Sequence, residues 1–285
     1  MAPNMSGKVA FITGGASGIG AALATELTGR GAEVWIADRQ TGPAQELAQR
    51  LNSIGGKAHA IELDVRSYPS FESAAAAAAA QSGRIDYLFN NAGIGAGGEI
   101  DSYTLEDWND VFDVNLRGVV HGIQAIYPIM IRQRSGHIVN TASMAGLVAS
   151  PGLGSYTATK HAVVGISKAL RLEAERHGVQ VSALCPGAIR TPILAGGKYG
   201  RSKGISSEQQ RKFWEPMRPM APEVFAERAL RAVLRGDAII VIPTWWKAFW
   251  YLERLSPALY MRAARRSLNR VRELTSGSPH DDANS

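Results

Sequence analysis

Cysteine is almost missing from this chain of 285 residues, and the single Cys185 excludes an intramolecular disulfide. Its place in the apolar run 179–185 (VQVSALC) reads as a buried core thiol. The six histidines are scattered without metal-ligand spacing, so no metal site is expected, and His161 reads as an ordinary helix residue. No run of about twenty uncharged apolar residues occurs, which excludes a membrane-spanning helix. Residues 1–7 are too short and polar for a signal peptide ahead of the first strand, so cytoplasmic residence is expected. Internal repeats and long linkers are absent too, and with 45% hydrophobic residues the length suits one large domain. The formal charge of +6 comes without an interleaved recognition motif, so no nucleic-acid partner is expected.

What the chain does have is a regular alternation of short apolar runs with helical patterns. Strands are expected at about 8–13, 33–37, 58–63, 85–89, 137–142, 179–184 and 238–242, with helices between them. That pattern predicts an α/β fold, a Rossmann-type doubly wound parallel sheet of about seven strands with helices on both faces. The alanine-rich stretch 73–80 is a thin helix before the fourth strand.

Function first shows at the N-terminus. Residues 8–13 (KVAFIT) read as a strand, 14–20 (GGASGIG) as a turn and 19–30 as a helix. Such a unit turns backbone N–H groups and a helix N-terminus toward a pyrophosphate. The candidate positions are Gly14, Ser17, Gly18, Ile19 and Gly20. The next apolar run ends at Asp38, where a dinucleotide fold places the carboxylate that accepts hydrogen bonds from the adenosine ribose. A carboxylate there repels a 2'-phosphate, which favours NAD, and the glycine turn holds no basic residue. Arg39 argues the other way, because a guanidinium directly after the strand can pair with that phosphate or merely stack on adenine, so NADP stays open.

A second group lies mid-chain. If 155–174 is a helix, Tyr156 and Lys160 share a face at i and i+4. A tyrosine of ordinary pKa roughly 10 needs positive charge nearby to act as a base at neutral pH, and Lys160 can supply it. Ser143, closing the run 137–143 (HIVNTAS), comes from a strand end and can hydrogen-bond a substrate oxygen.

Together these motifs resemble the short-chain dehydrogenase/reductase family in its ordinary single-domain branch, from about Lys8 to Pro243. The family's TGxxxGxG turn is similar to Thr13, Gly14, Gly18 and Gly20, and its NNAG motif to Asn90, Asn91, Ala92 and Gly93. The resemblance implies that Asp64 and Val65 contact adenine, and that Asn91, Ala92 and Gly93 line the cofactor. It further implies that Pro186, Gly187, Ile189 and Thr191 meet the nicotinamide end, and that Asn115, Ser143, Tyr156 and Lys160 are catalytic. Asn115 is then expected to bend its helix and hold a water that joins Lys160 to solvent. A homodimer or homotetramer is implied as well, often through the helices carrying Asn115 and Tyr156.

The chemistry so implied is interconversion of a secondary alcohol and a ketone by hydride transfer, with Tyr156 as general acid or base and Ser143 orienting the oxygen. Two alternatives stay open: an NADPH-dependent carbonyl reductase, and a non-enzymatic dinucleotide-sensing or scaffold protein. The expected substrate walls are 93–98, 144–154 and a mobile lid at 193–219. Ile94, Met144, Leu147, Val148 and Leu153 make them mostly apolar, as for a steroid-like or lipid-like molecule.

Residues 1–243 form the expected catalytic domain, 244–274 an amphipathic helical extension and 275–285 a disordered tail. The extension concentrates Trp245, Trp246, Phe249, Trp250, Tyr251 and Tyr260, and Pro257 should break it into two helices. Trp245, Phe249, Leu252 and Leu259 should share one face, and Tyr260, Ala264, Leu268 and Val271 another. Lys247, Arg254, Arg262, Arg265, Arg266, Arg270 and Arg272 outnumber Glu253 and Glu273 there. Either the arm packs on its own substrate opening or a neighbouring subunit, or it lies on an anionic membrane surface as a peripheral contact.

Overall fold

The computed structural model describes residues 4–196, 200–202 and 206–276. Its frame is a seven-stranded, wholly parallel sheet ordered β3-β2-β1-β4-β6-β7-β9. The strands are β1 (Val9–Thr13), β2 (Glu33–Asp38), β3 (Lys57–Glu62), β4 (Tyr87–Asn90), β6 (Gly136–Thr141), β7 (Val179–Pro186) and β9 (Ile239–Ile242). Two three-residue strands, β5 (Gly95–Gly97) and β8 (Gly200–Ser202), pair separately in parallel. All seven expected strands are present, within two residues at each end.

Both faces of the sheet are covered, because alternate side chains of each apolar strand point to opposite layers. In β1, Val9 and Phe11 join one hydrophobic cluster and Ala10 and Ile12 the other. The first layer contains α3 (Tyr68–Ser82), α5 (Gly118–Gln133) and α6 (Gly154–Ala174), through residues such as Phe71, Ile126 and Val163. The second contains α1 (Gly18–Gly29), α2 (Thr41–Ser53) and α9 (Pro222–Leu234), through Leu27, Leu47 and Phe225. The alanine run lies within α3, where Ala74, Ala75 and Ala78 are buried. Ser67 caps that helix by accepting from Ser70 N at 3.3 Å.

Strand order reverses between β1 and β4, and the crevice at their C-terminal ends is where a doubly wound sheet binds a ligand. A buried chain of amides sets the catalytic helix over it. Asn90 Nδ2 donates to Asn140 Oδ1 at 2.9 Å, and Asn140 Nδ2 donates to Ser167 Oγ at 3.0 Å. β4, β6 and α6 are thereby tied together where no water competes.

α4 (Leu105–Phe112) runs on into a π-helical turn at Asp113–Arg117, which contains Asn115 and interrupts the regular α-helix there. The expected lid contains α7 (Pro192–Ala195), β8 and α8 (Ser207–Trp214); the rest of it at 197–199 and 203–205 lies outside the described residues.

The arm divides at Pro257 into α10 (Lys247–Leu255) and α11 (Pro257–Ser276), and it folds back onto the domain. Trp246, Phe249, Trp250 and Leu252 pack against the first cluster, which Tyr260 and Ala264 enter as buried members. The Tyr260 hydroxyl donates to Ala149 O at 2.5 Å, and Arg272 donates to the Glu99 carboxylate at 2.8 and 2.5 Å. The expected faces need correction, since Trp245 and Leu259 are 47% and 50% exposed while Phe249 and Leu252 face inward. Trp245 lies in a 3-10 turn ahead of α10, and the break at Ser256 ends the periodicity before Leu259. Of the tail expected to be disordered, residues 275–276 end α11 and 277–285 lie outside the described residues.

Candidate active site

The crevice opens into a cleft whose lining is mostly apolar. One end is the glycine turn. Gly14 has φ of 61°, and a Cβ there would sit 2.9 Å from Ala92 Cα. A Cβ on Gly20 would collide with the Gly14 carbonyl oxygen, so the turn can lie flat on the start of α1 only with glycine here. No side chain caps α1, and Ser17, Gly18 and Ile19 line the cleft, leaving the helix N-terminus to a ligand's negative charge. Thr13 fixes the turn to the neighbouring strand, its Oγ1 accepting from Asn91 N at 2.9 Å and Ala92 N at 3.0 Å. Asn91 Nδ2 returns the link by donating to Thr13 O at 3.2 Å.

Asp38 ends β2 beside this turn and is buried. Its Oδ2 accepts from Ala16 N at 3.1 Å and its Oδ1 from Gln40 N at 2.9 Å. Asp38 and Arg39 both line the cleft, with Asp64 and Val65 on the adjoining wall. Asp64 is ion-paired to Arg66 at 2.6 Å, and that guanidinium holds its carboxyl below the ordinary value, with Arg39 adding to the effect. The cradle fits a dinucleotide: a glycine-rich turn, an uncapped helix end and a carboxylate at the end of the second strand.

The reactive groups meet at the other end. Ser143, Tyr156 and Lys160 line the cleft together with Asn91, Ala92 and Gly93. Ser143 Oγ accepts from Ala145 N at 3.1 Å, and its side chain is also hydrogen-bonded to Tyr156. Lys160 Nζ donates to Thr141 O at 2.8 Å and stands 5.4 Å from the centroid of the Tyr156 ring. Burial pulls the Lys160 ammonium down to about 8, so it stays mostly charged at neutral pH. Burial also pushes the Tyr156 phenol above its ordinary value, against the pull of its hydrogen bond with Ser143. The lowering expected from Lys160 is not among the causes of this shift, and burial sets its direction.

Two expected residues do not face the cleft. Gly20 sits behind the turn, and Asn115 is fully buried. Asn115 Oδ1 accepts from Ile94 N at 2.8 Å and its Nδ2 donates to Ile94 O at 2.9 Å. Its side chain holds the wall loop to the π-helical turn. Pro186, Gly187, Ile189 and Thr191 do line the cleft after β7, where the Thr191 hydroxyl donates to Ile189 O at 3.3 Å. Among the expected wall residues, Ile94, Met144 and Leu153 line the cleft, but Leu147 and Val148 turn into the core. The 3-10 turn at Met144–Gly146 redirects the chain just before them.

Some cleft residues are not evident in the sequence motifs. Trp246 reaches the wall from the arm and lies so close to Gly187 that a Cβ there would collide with the indole. Its Nε1 is buried with no hydrogen-bond partner among the described residues. Gln210 and Trp214 enter from α8. Gln210 and Trp214 fall in the lid expected at 193–219, and the aromatic cluster after Pro243 is the sequence signal for Trp246.

Similarity to known proteins shows the family. The family described as short chain dehydrogenase matches residues 8–198. A Mycobacterium tuberculosis protein that carries the name oxidoreductase SadH is 33% identical over 262 residues, covering 91% of this chain and 94% of its own. The 2,5-dichloro-2,5-cyclohexadiene-1,4-diol dehydrogenase LinX of Sphingobium indicum is 40% identical over 195 residues, covering 68% of this chain and 78% of its own. A short-chain dehydrogenase/reductase from Burkholderia phymatum, crystallised with NAD, superposes with a TM-score of 0.80 at 31% identity, over 90% of this chain and 96% of that one. The chain belongs to the short-chain dehydrogenase family and is an oxidoreductase of that family.

Proposed function

We propose that this oxidoreductase interconverts a hydrophobic secondary alcohol and its ketone, with NAD preferred over NADP and Tyr156 as the general acid and base. One observation carries the reading: Ser143, Tyr156 and Lys160 converge at one end of a mostly apolar cleft whose other end is the glycine cradle with Asp38. When bound, the nicotinamide cofactor supplies the hydride acceptor for oxidation and the donor for reduction.

The protein's own part is to position the substrate and move its proton. Ser143 donates its hydroxyl hydrogen to the substrate oxygen, steadying charge that develops there. In oxidation the Tyr156 oxygen takes the alcohol proton, and in reduction it returns one to the nascent alkoxide. Because the phenol is raised, Tyr156 is ready as an acid at neutral pH; to act as a base it needs added positive charge, of which Lys160 is one source. Asn115 keeps the Ile94 wall in register with α4. Ile94, Met144, Leu153, Trp214 and Trp246 surround the reacting end, and this apolar lining supports a steroid-like or lipid-like substrate.

Cofactor choice follows from the buried carboxylate of Asp38 at the ribose end. Asp38→Ala is expected to weaken NAD about tenfold, from the loss of charged hydrogen bonds, and to bring NAD and NADP affinities together. Unmodified protein that binds NADP more tightly than NAD would refute the assignment and favour Arg39 as a phosphate partner. Assembly into a homodimer or homotetramer is part of the same reading. Leu105 on α4, Val120 on α5 and Leu172 on α6 are exposed apolar side chains on the helices named for it. Light scattering should report two or four chains, and a monomer at all concentrations would contradict this.

The enzymatic reading is tested by NADH formation across a panel of hydrophobic secondary alcohols. Turnover on several bulky members and little on ethanol-sized ones supports it. A preference for small polar alcohols would remove the hydrophobic-substrate part.

A further inference from the structure

The arm has two faces of different character. Its inner face is used by the fold: Tyr260 and Ala264 are buried, Phe249 and Leu252 pack on the core, and Trp246 lines the cleft. Its outer face is apolar where the two helices meet. Helical spacing puts Tyr251 and Leu255 together on the outer side of α10, at 52% and 86% exposed. Across the Ser256–Pro257 turn, Leu259 and Met261 follow at 50% and 56%.

Around this corner the charge is predominantly positive. Arg254 lies over the Trp250 ring, 5.9 Å from its centroid, and Arg262, Arg265 and Arg266 are exposed on α11. No ion pair engages any of those four arginines among the described residues. Glu253 is the single carboxylate on either helix up to Arg272.

We propose that the α10–α11 corner docks the protein on an anionic lipid surface, with Tyr251, Leu255, Leu259 and Met261 entering the headgroup boundary and Arg254, Arg262, Arg265 and Arg266 meeting phosphate groups. Short amphipathic helices with a basic rim bind membrane interfaces in this manner, lying in the plane without spanning. No helix among the described residues is long and apolar enough to cross. A second copy of the chain is the weaker occupant, since a two-fold contact at this corner would set its arginines against their own equivalents. The inference goes beyond the catalytic reading. It makes the arm a bridge, because its outer face meets lipid while Trp246, on its inner side, borders the substrate space.

Full-length protein should co-sediment with vesicles of phosphatidylglycerol and phosphatidylcholine, and much less with phosphatidylcholine alone. Raising salt should weaken the binding, as exposed charge requires. The double variants Leu255→Asp with Met261→Asp, and Arg262→Glu with Arg266→Glu, should each cut binding at least tenfold while NADH binding stays unchanged as the measure of an intact fold. No binding to anionic vesicles overturns the proposal, as does binding that both double variants retain. If the apolar variant instead splits a dimer in light scattering and leaves vesicle binding intact, the corner belongs to a second copy. None of these outcomes depends on turnover, so the docking surface and the catalytic reading can fail separately.

Discussion

Lys160 shows what the site costs the fold. Its ammonium is buried with a backbone carbonyl as its hydrogen-bond acceptor, and its pKa falls from 10.5 to about 8. The folded state therefore binds fewer protons than the unfolded one between those values. The penalty, about 3 kcal/mol, is full below pH 8 and is relieved as pH rises toward 10.5. A chain shaped by stability alone would not hold a lysine there; the proton transfer proposed for Tyr156 needs that charge nearby.

His137 gives a second pH effect, away from the site. Burial and the nearby Arg171 hold it neutral, with its pKa lowered from 6.5 to about 4. Ser182 spends its hydrogen on Asp237 O at 2.6 Å, so its oxygen accepts from His137 Nε2–H at 2.8 Å. Unfolded chain takes up a proton below pH 6.5 that folded chain refuses until about 4. Stability should thus fall by roughly 3 kcal/mol as pH drops through that window. Urea unfolding at pH 7 and pH 5 reads this, and His137→Gln should flatten the loss while lowering stability at pH 7. An unchanged acid slope in the variant would show that other groups govern it.

At the scale of elements, the glycines are where the parts meet. Gly187 follows β7 and lies against Trp246 from the arm, with no room for a Cβ. Gly187→Ala should push the indole away, loosening the arm and weakening both stability and turnover. Trp246→Ala alone removes one cleft wall. The double variant should recover much of the stability lost in Gly187→Ala, a coupling of roughly 1 kcal/mol or more for groups in contact. Additive losses in thermal unfolding would show that the two do not touch.

The same scale explains what was legible beforehand. Apolar runs such as Val9–Thr13 and Val179–Pro186 announce buried parallel strands, and the glycine turn and the Tyr156–Lys160 spacing announce the two ends of the cleft. The pair β5 and β8 gave no such signal, because three-residue strands rich in glycine carry no periodicity. Leu147 and Val148 looked like cleft walls because a sequence does not show which way a 3-10 turn sends the next side chains. Trp246 was visible as an aromatic but not as a neighbour of Gly187, a contact between residues fifty-nine positions apart that only packing creates.

For the whole molecule, one frame serves two tasks divided along the strand ends. The crossover between β1 and β4 makes the cleft, and the buried Asn90–Asn140–Ser167 chain holds α6 over it. The arm adds a wall to the open side, pinned at Ala149 and Glu99 near the two wall loops. The central claim is that this cleft passes a hydride while Tyr156 passes a proton. It is tested most directly by incubating the protein with NAD and a panel of hydrophobic secondary alcohols deuterated at the carbinol carbon, then measuring deuterium on the nicotinamide ring by mass spectrometry. The account predicts label transfer by the unmodified protein and a loss of at least a hundredfold in Tyr156→Phe, with NAD binding nearly intact. Undiminished transfer in Tyr156→Phe, or tight NAD binding with no transfer from any alcohol, would contradict it.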